Sequence, residues 1–138
     1  MRIKNQKGFT LIELVIIIVV LGILASVAIP KYKSIVAESR EASCRGALGG
    51  LRSGISIFYA NMAVTTGTAD WPEMDSLTTV GVVMEQALPS NPYQVNAPDS
   101  VVTGVTKGTI VGTRGGWAYL PGTGEIWANT NTVGENSW

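Results

Sequence analysis

FTLIELVIIIVVLGILASVAIP, residues 9–30, holds one ionisable side chain, Glu13, in an otherwise apolar run. As a helix this stretch is long enough to cross the hydrocarbon core of a bilayer, about 30 Å thick. It reads as a membrane segment. The residues before it, MRIKNQKG, are basic through Arg2, Lys4 and Lys7, which by the positive-inside tendency keeps the N-terminus cytoplasmic and sends the rest outward.

Two processing schemes compete for this segment. An ordinary secretory signal is cut after its apolar run beside small residues, and Ala25, Ser26 and Ala28 imitate such a site. The other scheme cuts at Lys7-Gly8-Phe9, before the run, so that the hydrophobic helix stays in the product. Glu13 favours the second, because a discarded signal gains nothing from an ionisable group in lipid, where a carboxylate costs about 3 kcal/mol or more.

After Pro30 the pattern stays helical but becomes amphipathic. Cys44, Leu48, Leu51, Ile55, Phe58 and Met62 recur at spacings of three and four, which places them on one stripe, with charged residues on the other faces. A single helix over about 9–62 is therefore expected, roughly 80 Å long at about 1.5 Å per residue. Its first half (9–30) belongs to lipid or to other helices, and its second half (31–62) rests on a soluble core. Gly22 and Pro30 are the expected points of softening, through backbone entropy and a missing N–H donor. Gly46, Gly49, Gly50 and Gly54 read as packing positions.

Residues 63–138 form the predicted head. AVTTGTAD reads as a loop, and Asp70-Trp71-Pro72-Glu73 as the entry to a short helix ending near Gly81. Strand signals follow at Val101–Thr106, Thr109–Thr113, Trp117–Leu120 and Glu125–Asn129. Pro121-Gly122-Thr123-Gly124 joins the last pair as a hairpin. The expected fold is α+β: a long helix whose second half packs on a small antiparallel sheet of three to four strands, with a polar edge or coil from Thr130 onward.

Composition narrows function. Histidine is absent and Cys44 is the single cysteine, which removes intramolecular disulfides, Ser-His and Cys-His nucleophile systems, and most zinc sites. No enzyme is expected. The formal net charge is zero, and loss of Arg2, Lys4 and Lys7 with a leader makes the chain three charges more negative. Beyond Gly54 only Lys107 and Arg114 are cationic, against Asp70, Glu73, Asp75, Glu85, Asp99, Glu125 and Glu135. An acidic head argues against general nucleic-acid binding, which needs clustered cations. Lys31, Lys33, Arg40, Arg45 and Arg52 instead make the preceding helix basic, with only Glu38 and Glu41 opposing them. Asp70, Glu73 and Asp75 lack the spacing of a calcium loop and read as acids at a helix N-terminus; no metal ligands are assigned.

The segment KGFTLIELVIIIVVLGILASVAIPKY resembles the N-terminal signature of type IV prepilins and type II secretion pseudopilins. The resemblance rests on Lys7-Gly8 before the scissile bond, Phe9 as the new N-terminus, Glu13, Gly22 and Pro30. It implies a leader of residues 1–8, recognised through Lys7 and Gly8, cut after Gly8 by a membrane prepilin peptidase and followed by N-methylation of Phe9. It also implies a homo-oligomeric helical filament, either a pilus or a pseudopilus, built at an inner-membrane assembly platform with minor pilins or pseudopilins. The subunit then begins as a single-pass inner-membrane protein and ends in an extracellular or periplasmic fibre. Trp71-Pro72, Leu88-Pro89, Asn91-Pro92-Tyr93 and GGWAYLPGTGEIWAN extend the resemblance more loosely into the head. Many type IV pilins close a C-terminal loop with a disulfide, and this chain lacks the cysteines for one. Major pseudopilins often hold calcium in a loop after an Asp-Pro-Trp-Gly-Asn-Pro-like run, where this chain has only Leu88-Pro89-Ser90-Asn91-Pro92-Tyr93; calcium is left open but not predicted, and no cofactor is assigned.

Cleavage and assembly form one mechanism in this reading. A buried carboxylate persists when a partner awaits it, and the new cation nearby after cleavage is the amine of Phe9, on the same subunit or on one already in the filament. The alternative from another functional class is a single-pass membrane-anchored binding domain whose leader stays uncut and which does not polymerise.

Overall fold

The structure, a computed structural model, describes residues 8–138; Lys7 and the other leader residues before Gly8 lie outside the described residues. The chain divides into two compact units, one ending at Glu38 and the other running from Ser39 to Trp138. One helix, α1 (Leu11–Thr66), contributes to both. It starts two residues later and ends four residues later than the sequence pattern suggested, since Ala63–Thr66 continue the last turns. The Thr65 and Thr66 hydroxyls donate to the carbonyls of Asn61 and Met62 within it.

In the first unit every residue from Gly8 to Ile35 is exposed. Leu11, Ile12, Leu14 and the aliphatic run to Ile29 touch no core of their own chain. The helix continues through Gly22 and Pro30. Pro30 supplies no N–H to the carbonyl one turn back, at Ser26.

In the second unit the buried face of α1 is Cys44, Leu48, Leu51, Gly54 and Ile55, the centre of the predicted stripe; Phe58 and Met62 are half-buried. This face meets Leu77 of α2 (Met74–Thr78) and Trp117, Tyr119, Ile126 and Ala128 of the sheet. Gly54 is the point of closest approach: a side chain there would meet Met84 Sδ at 2.7 Å and the Val83 carbonyl at 2.8 Å. Gly46, Gly49 and Gly50 have nothing within 4 Å, so within the chain they are open positions and of these four only Gly54 packs.

The sheet has three strands, β1 (Val101–Thr103), β2 (Trp117–Leu120) and β3 (Glu125–Ala128), in the order β1-β2-β3. β2 and β3 form the expected antiparallel hairpin, with Trp117 opposite Ala128 and Leu120 opposite Glu125. Gly124 adopts φ +70°, and its N–H closes the turn onto the Leu120 carbonyl at 2.9 Å. The sheet is mixed, however. β1 runs parallel to β2, pairing Val101 with Trp117 and Thr103 with Tyr119. A parallel neighbour needs a long crossover, and residues 104–116 provide it.

That crossover includes Thr109–Thr113, expected as a strand and found as irregular chain. Side chains claim its backbone groups. Asn129 Oδ1 accepts from the Val111 N–H at 2.7 Å, and its Nδ2 donates to the carbonyls of Val111 and Arg114. Trp127 Nε1 donates to the Thr109 carbonyl at 2.8 Å. The crossover thus covers the sheet face opposite α1, with Gly104 against the Trp127 indole. Both faces of the sheet are covered, which is why β2 and β3 are buried at successive residues instead of alternating.

Candidate assembly site

Leu11 is the first helical residue of α1, Thr10 precedes it, and Glu13 stands at the third helical position. The Thr10 N–H and hydroxyl both donate to Glu13 Oε2 at 2.8 Å, and the Glu13 N–H donates back to Thr10 Oγ1 at 3.3 Å. This reciprocal arrangement is a capping box, which satisfies helix-start donors that have no partner inside the helix. Glu13 is therefore not a bare carboxylate. Oε1 has no partner among the described residues and stays open to a further cation. The Thr-x-x-Glu spacing carried this signal, although the sequence alone directed attention to the amine of Phe9.

Phe9 is 81% exposed and precedes the helix, as does Gly8, also exposed. Glu13, Gly22 and Pro30 follow on α1 among exposed aliphatic side chains. α1 is long and apolar enough to cross a membrane, and its apolar stretch has no part buried within the chain. Among the described residues, then, Gly8, Phe9 and Glu13 lie together at one helix start. Lys31, Lys33 and Arg40 are exposed beyond Pro30, and Arg45 pairs with Glu41 at 3.0 Å.

The head is organised around buried polar groups. Asn91 is fully buried. Its Nδ2 donates to the Gly116 carbonyl at 2.8 Å, and its Oδ1 accepts from the Tyr93 N–H at 2.9 Å and from the Cys44 thiol at 3.7 Å. Glu135 is equally buried and opens a short 3-10 helix, Glu135–Ser137. Its carboxylate accepts from the Thr132 N–H at 2.8 Å and the Val133 N–H at 2.7 Å. Burial pushes this carboxyl up, but hydrogen bonds from the Thr132, Val133 and Glu135 N–H groups and the Thr130 hydroxyl outweigh it, so the group stays below the usual carboxylate range.

Trp138 is held by side chains of α1. The Arg45 guanidinium lies 4.0 Å from the centre of its ring, Tyr93 meets the ring edge-on at 6.4 Å, and Arg52 Nη2 donates to its main-chain oxygen. The segment from Thr130, expected as a polar edge or coil, is an anchored part of the head. Tyr119, whose hydroxyl donates to the Pro72 carbonyl at 2.8 Å, has its pKa pushed up to about 12 by burial. Among the described residues no group of three or more His, Cys, Asp or Glu side chains is placed to hold a metal ion. Asp70 accepts from the Trp71 N–H at 2.9 Å, and Asp75 lies in the first turn of α2.

Residues 3–29 match the family described as the prokaryotic N-terminal methylation motif. The fimbrial protein EcpC of Eikenella corrodens is 32% identical over 121 residues, covering 86% of this chain and 75% of that protein. The type IV major pilin protein PilE of Neisseria gonorrhoeae is 32% identical over 107 residues, covering 77% of this chain and 59% of that protein. The type IV major fimbrial protein FimA of Dichelobacter nodosus is 46% identical over a shorter stretch of 50 residues, covering 36% of this chain and 32% of that protein. No solved structure is significantly similar to this chain. With a helix start that carries the methylation motif, a head built on the second half of the same helix, and similarity spanning most of a fimbrial protein, the chain belongs to the type IV pilin superfamily.

Proposed function

We propose that this chain is a pilus subunit, stored in the inner membrane through residues 9–30 and polymerised after its leader, residues 1–8, is removed. The observation that carries the reading is the aliphatic surface of α1 from Leu11 to Ile29, exposed along its whole length. So large an apolar surface needs lipid or other helices around it. A membrane serves before assembly and the packed helices of neighbouring copies serve afterwards. The relatives are pilins and fimbrial proteins by name, which favours the pilus over the pseudopilus.

Cleavage after Gly8, with Lys7 and Gly8 as the recognised residues, frees the Phe9 amine, which the same peptidase then methylates. Phe9 and Glu13 are the assembly pair. Glu13 reaches the amine of its own or a neighbouring subunit through Oε1 while Oε2 keeps the Thr10 contacts, so the capped helix start presents the carboxylate in a fixed geometry. Pro30 and Gly22 give the helix local give as it moves from lipid into the bundle. The remaining partners are the assembly platform and minor pilins.

Mass spectrometry of the subunit from purified fibres tests the reading: it requires Phe9, methylated, as the first residue. Glu13→Ala is expected to insert in the membrane and fail to polymerise. Normal fibres from that variant would remove the pairing step.

A further inference from the structure

We propose that Lys31 and Lys33 bind the phosphate groups of anionic phospholipids in the leaflet distal to the N-terminus, and with Tyr32 fix the depth at which the unassembled chain sits. The proposal rests on the reading that residues 9–30 span a membrane. Its placement follows from helix length. Residues 11–30 of α1 rise about 30 Å at about 1.5 Å per residue, which matches the hydrocarbon core. The headgroup layer adds about 5 to 7 Å on each side. Lys31, Tyr32 and Lys33 come next, about 2 to 5 Å further along the helix, and so enter that layer.

All three side chains are exposed, Tyr32 at 69%. Neither lysine takes part in the ion pairs formed among the described residues. No Asp or Glu lies three or four residues to either side of Lys31 or Lys33, so α1 itself offers neither of them a partner. The next acid along the helix, Glu38, instead accepts from the Ser34 hydroxyl at 2.9 Å. Tyr32 suits the same level, because a phenol ring lies against acyl chains while its hydroxyl stays among headgroups.

The directions of the two lysines select the occupant. Two residues apart on a helix of about 3.6 residues per turn, they leave α1 about 160° apart. A single docking face on a folded partner meets one of them and misses the other, whereas headgroups surround the helix at that level and meet both. The flexible stem of each lysine carries its ammonium, a compact point charge, to a phosphate oxygen. Inward slip is resisted because it would draw these cations into hydrocarbon. With Lys31 at one boundary, Glu13 lies about 27 Å back along the helix. The depth set by the lysines thus holds the Thr10–Glu13 capping box at the opposite interface.

The test uses the full chain in nanodiscs of equal parts phosphatidylcholine and phosphatidylglycerol. Native mass spectrometry after release into mild detergent reads the ratio of the two lipids retained. Arg2, Lys4 and Lys7 are the same in every variant, so differences between variants report the other end of the span. Lys31→Gln combined with Lys33→Gln is expected to lower the phosphatidylglycerol enrichment about fivefold or more, and Lys31→Arg with Lys33→Arg to keep it. Arg40→Gln, seven residues further along α1 than Lys33, is expected to change it less than twofold. Undiminished enrichment in the double Gln variant would overturn the assignment. So would an equal loss from Arg40→Gln, since binding would then follow overall charge and not depth. Alkaline carbonate extraction tests the span separately: a chain stripped from vesicles takes the membrane reading down with the proposal, whereas a resistant chain without lysine-dependent enrichment sinks the lipid assignment alone.

Discussion

Asn91 Nδ2 donates to the Thr130 hydroxyl at 3.1 Å, tying the loop after Leu88 to the segment that leads to Trp138. Thr130 in turn supports the Glu135 carboxylate, and Asn91 also reaches Cys44 on α1, so helix, loop and tail share one buried polar network. Replacing Asn91 by Ala leaves the Tyr93 N–H and the Cys44 thiol without their acceptor, whereas the Gly116 carbonyl keeps the Asn129 N–H at 2.9 Å. A buried polar group so orphaned costs about 1 to 3 kcal/mol. Asn91→Ala is therefore expected to lose about 1 to 3 kcal/mol, measured by denaturant unfolding of the full chain in detergent.

Glu135 gives the head an acid limit. Its carboxyl lies below the ordinary value of 4.5 when folded, so the unfolded chain binds the proton more readily. The stability this group contributes is complete above about pH 4.5 and is lost as pH falls through the folded value. Glu135→Gln places an amide NH2 near backbone donors and is expected to lose about 1 to 3 kcal/mol at neutral pH. Its unfolding midpoint should also fall less steeply between pH 5 and 3. An equally steep acid transition in the variant would assign acid sensitivity to other carboxyls.

Two glycines on one helix should respond with opposite sign. Gly50 is open, and Ala there gains about 0.5 to 1 kcal/mol of helix stability. At Gly54 the added methyl meets Met84 and the Val83 carbonyl, and overpacking of this kind costs about 1 to 3 kcal/mol. Thermal unfolding of the two variants gives the comparison directly. Fibre assembly of Gly50→Ala then reports separately whether a neighbouring copy approaches that face.

Thr10 separates capping from docking. Thr10→Val removes the hydroxyl from the capping box, a loss of about 1 kcal/mol at the helix start, but keeps the Glu13 carboxylate. Fibres are expected from Thr10→Val and not from Glu13→Ala. Failure of both variants would make the helix start itself, instead of the carboxylate, the requirement for assembly; electron microscopy of sheared fibres distinguishes the outcomes.

The sequence made some of this visible for identifiable reasons. Cys44, Leu48, Leu51 and Ile55 declare their shared face by spacing alone, because a helix fixes which side chains are neighbours. Trp117–Leu120 and Glu125–Ala128 are legible as a hairpin because the turn between them is local. Thr109–Thr113 misled, since its β-branched residues favour a strand while its hydrogen bonds go to Asn129 and Trp127, side chains distant in sequence. The parallel pairing of β1 with β2 was hidden for a related reason: the crossover that permits it has neither helix nor repeat to mark it. At the start of α1, Phe9 and Glu13 stood out by charge and hydropathy. The part played by Thr10 was written in the spacing but overshadowed by the larger electrostatic question.

The clasp formed by Glu135, Arg45, Arg52 and Trp138 also bears on where such a protein can mature. Its tail is fastened by hydrogen bonds, a stacked guanidinium and aromatic packing, none of which requires an electron acceptor. Folding of the head is therefore independent of thiol-oxidising enzymes. A strong reductant should leave its melting temperature unchanged, so the same fold serves in anoxic surroundings as readily as in aerated ones.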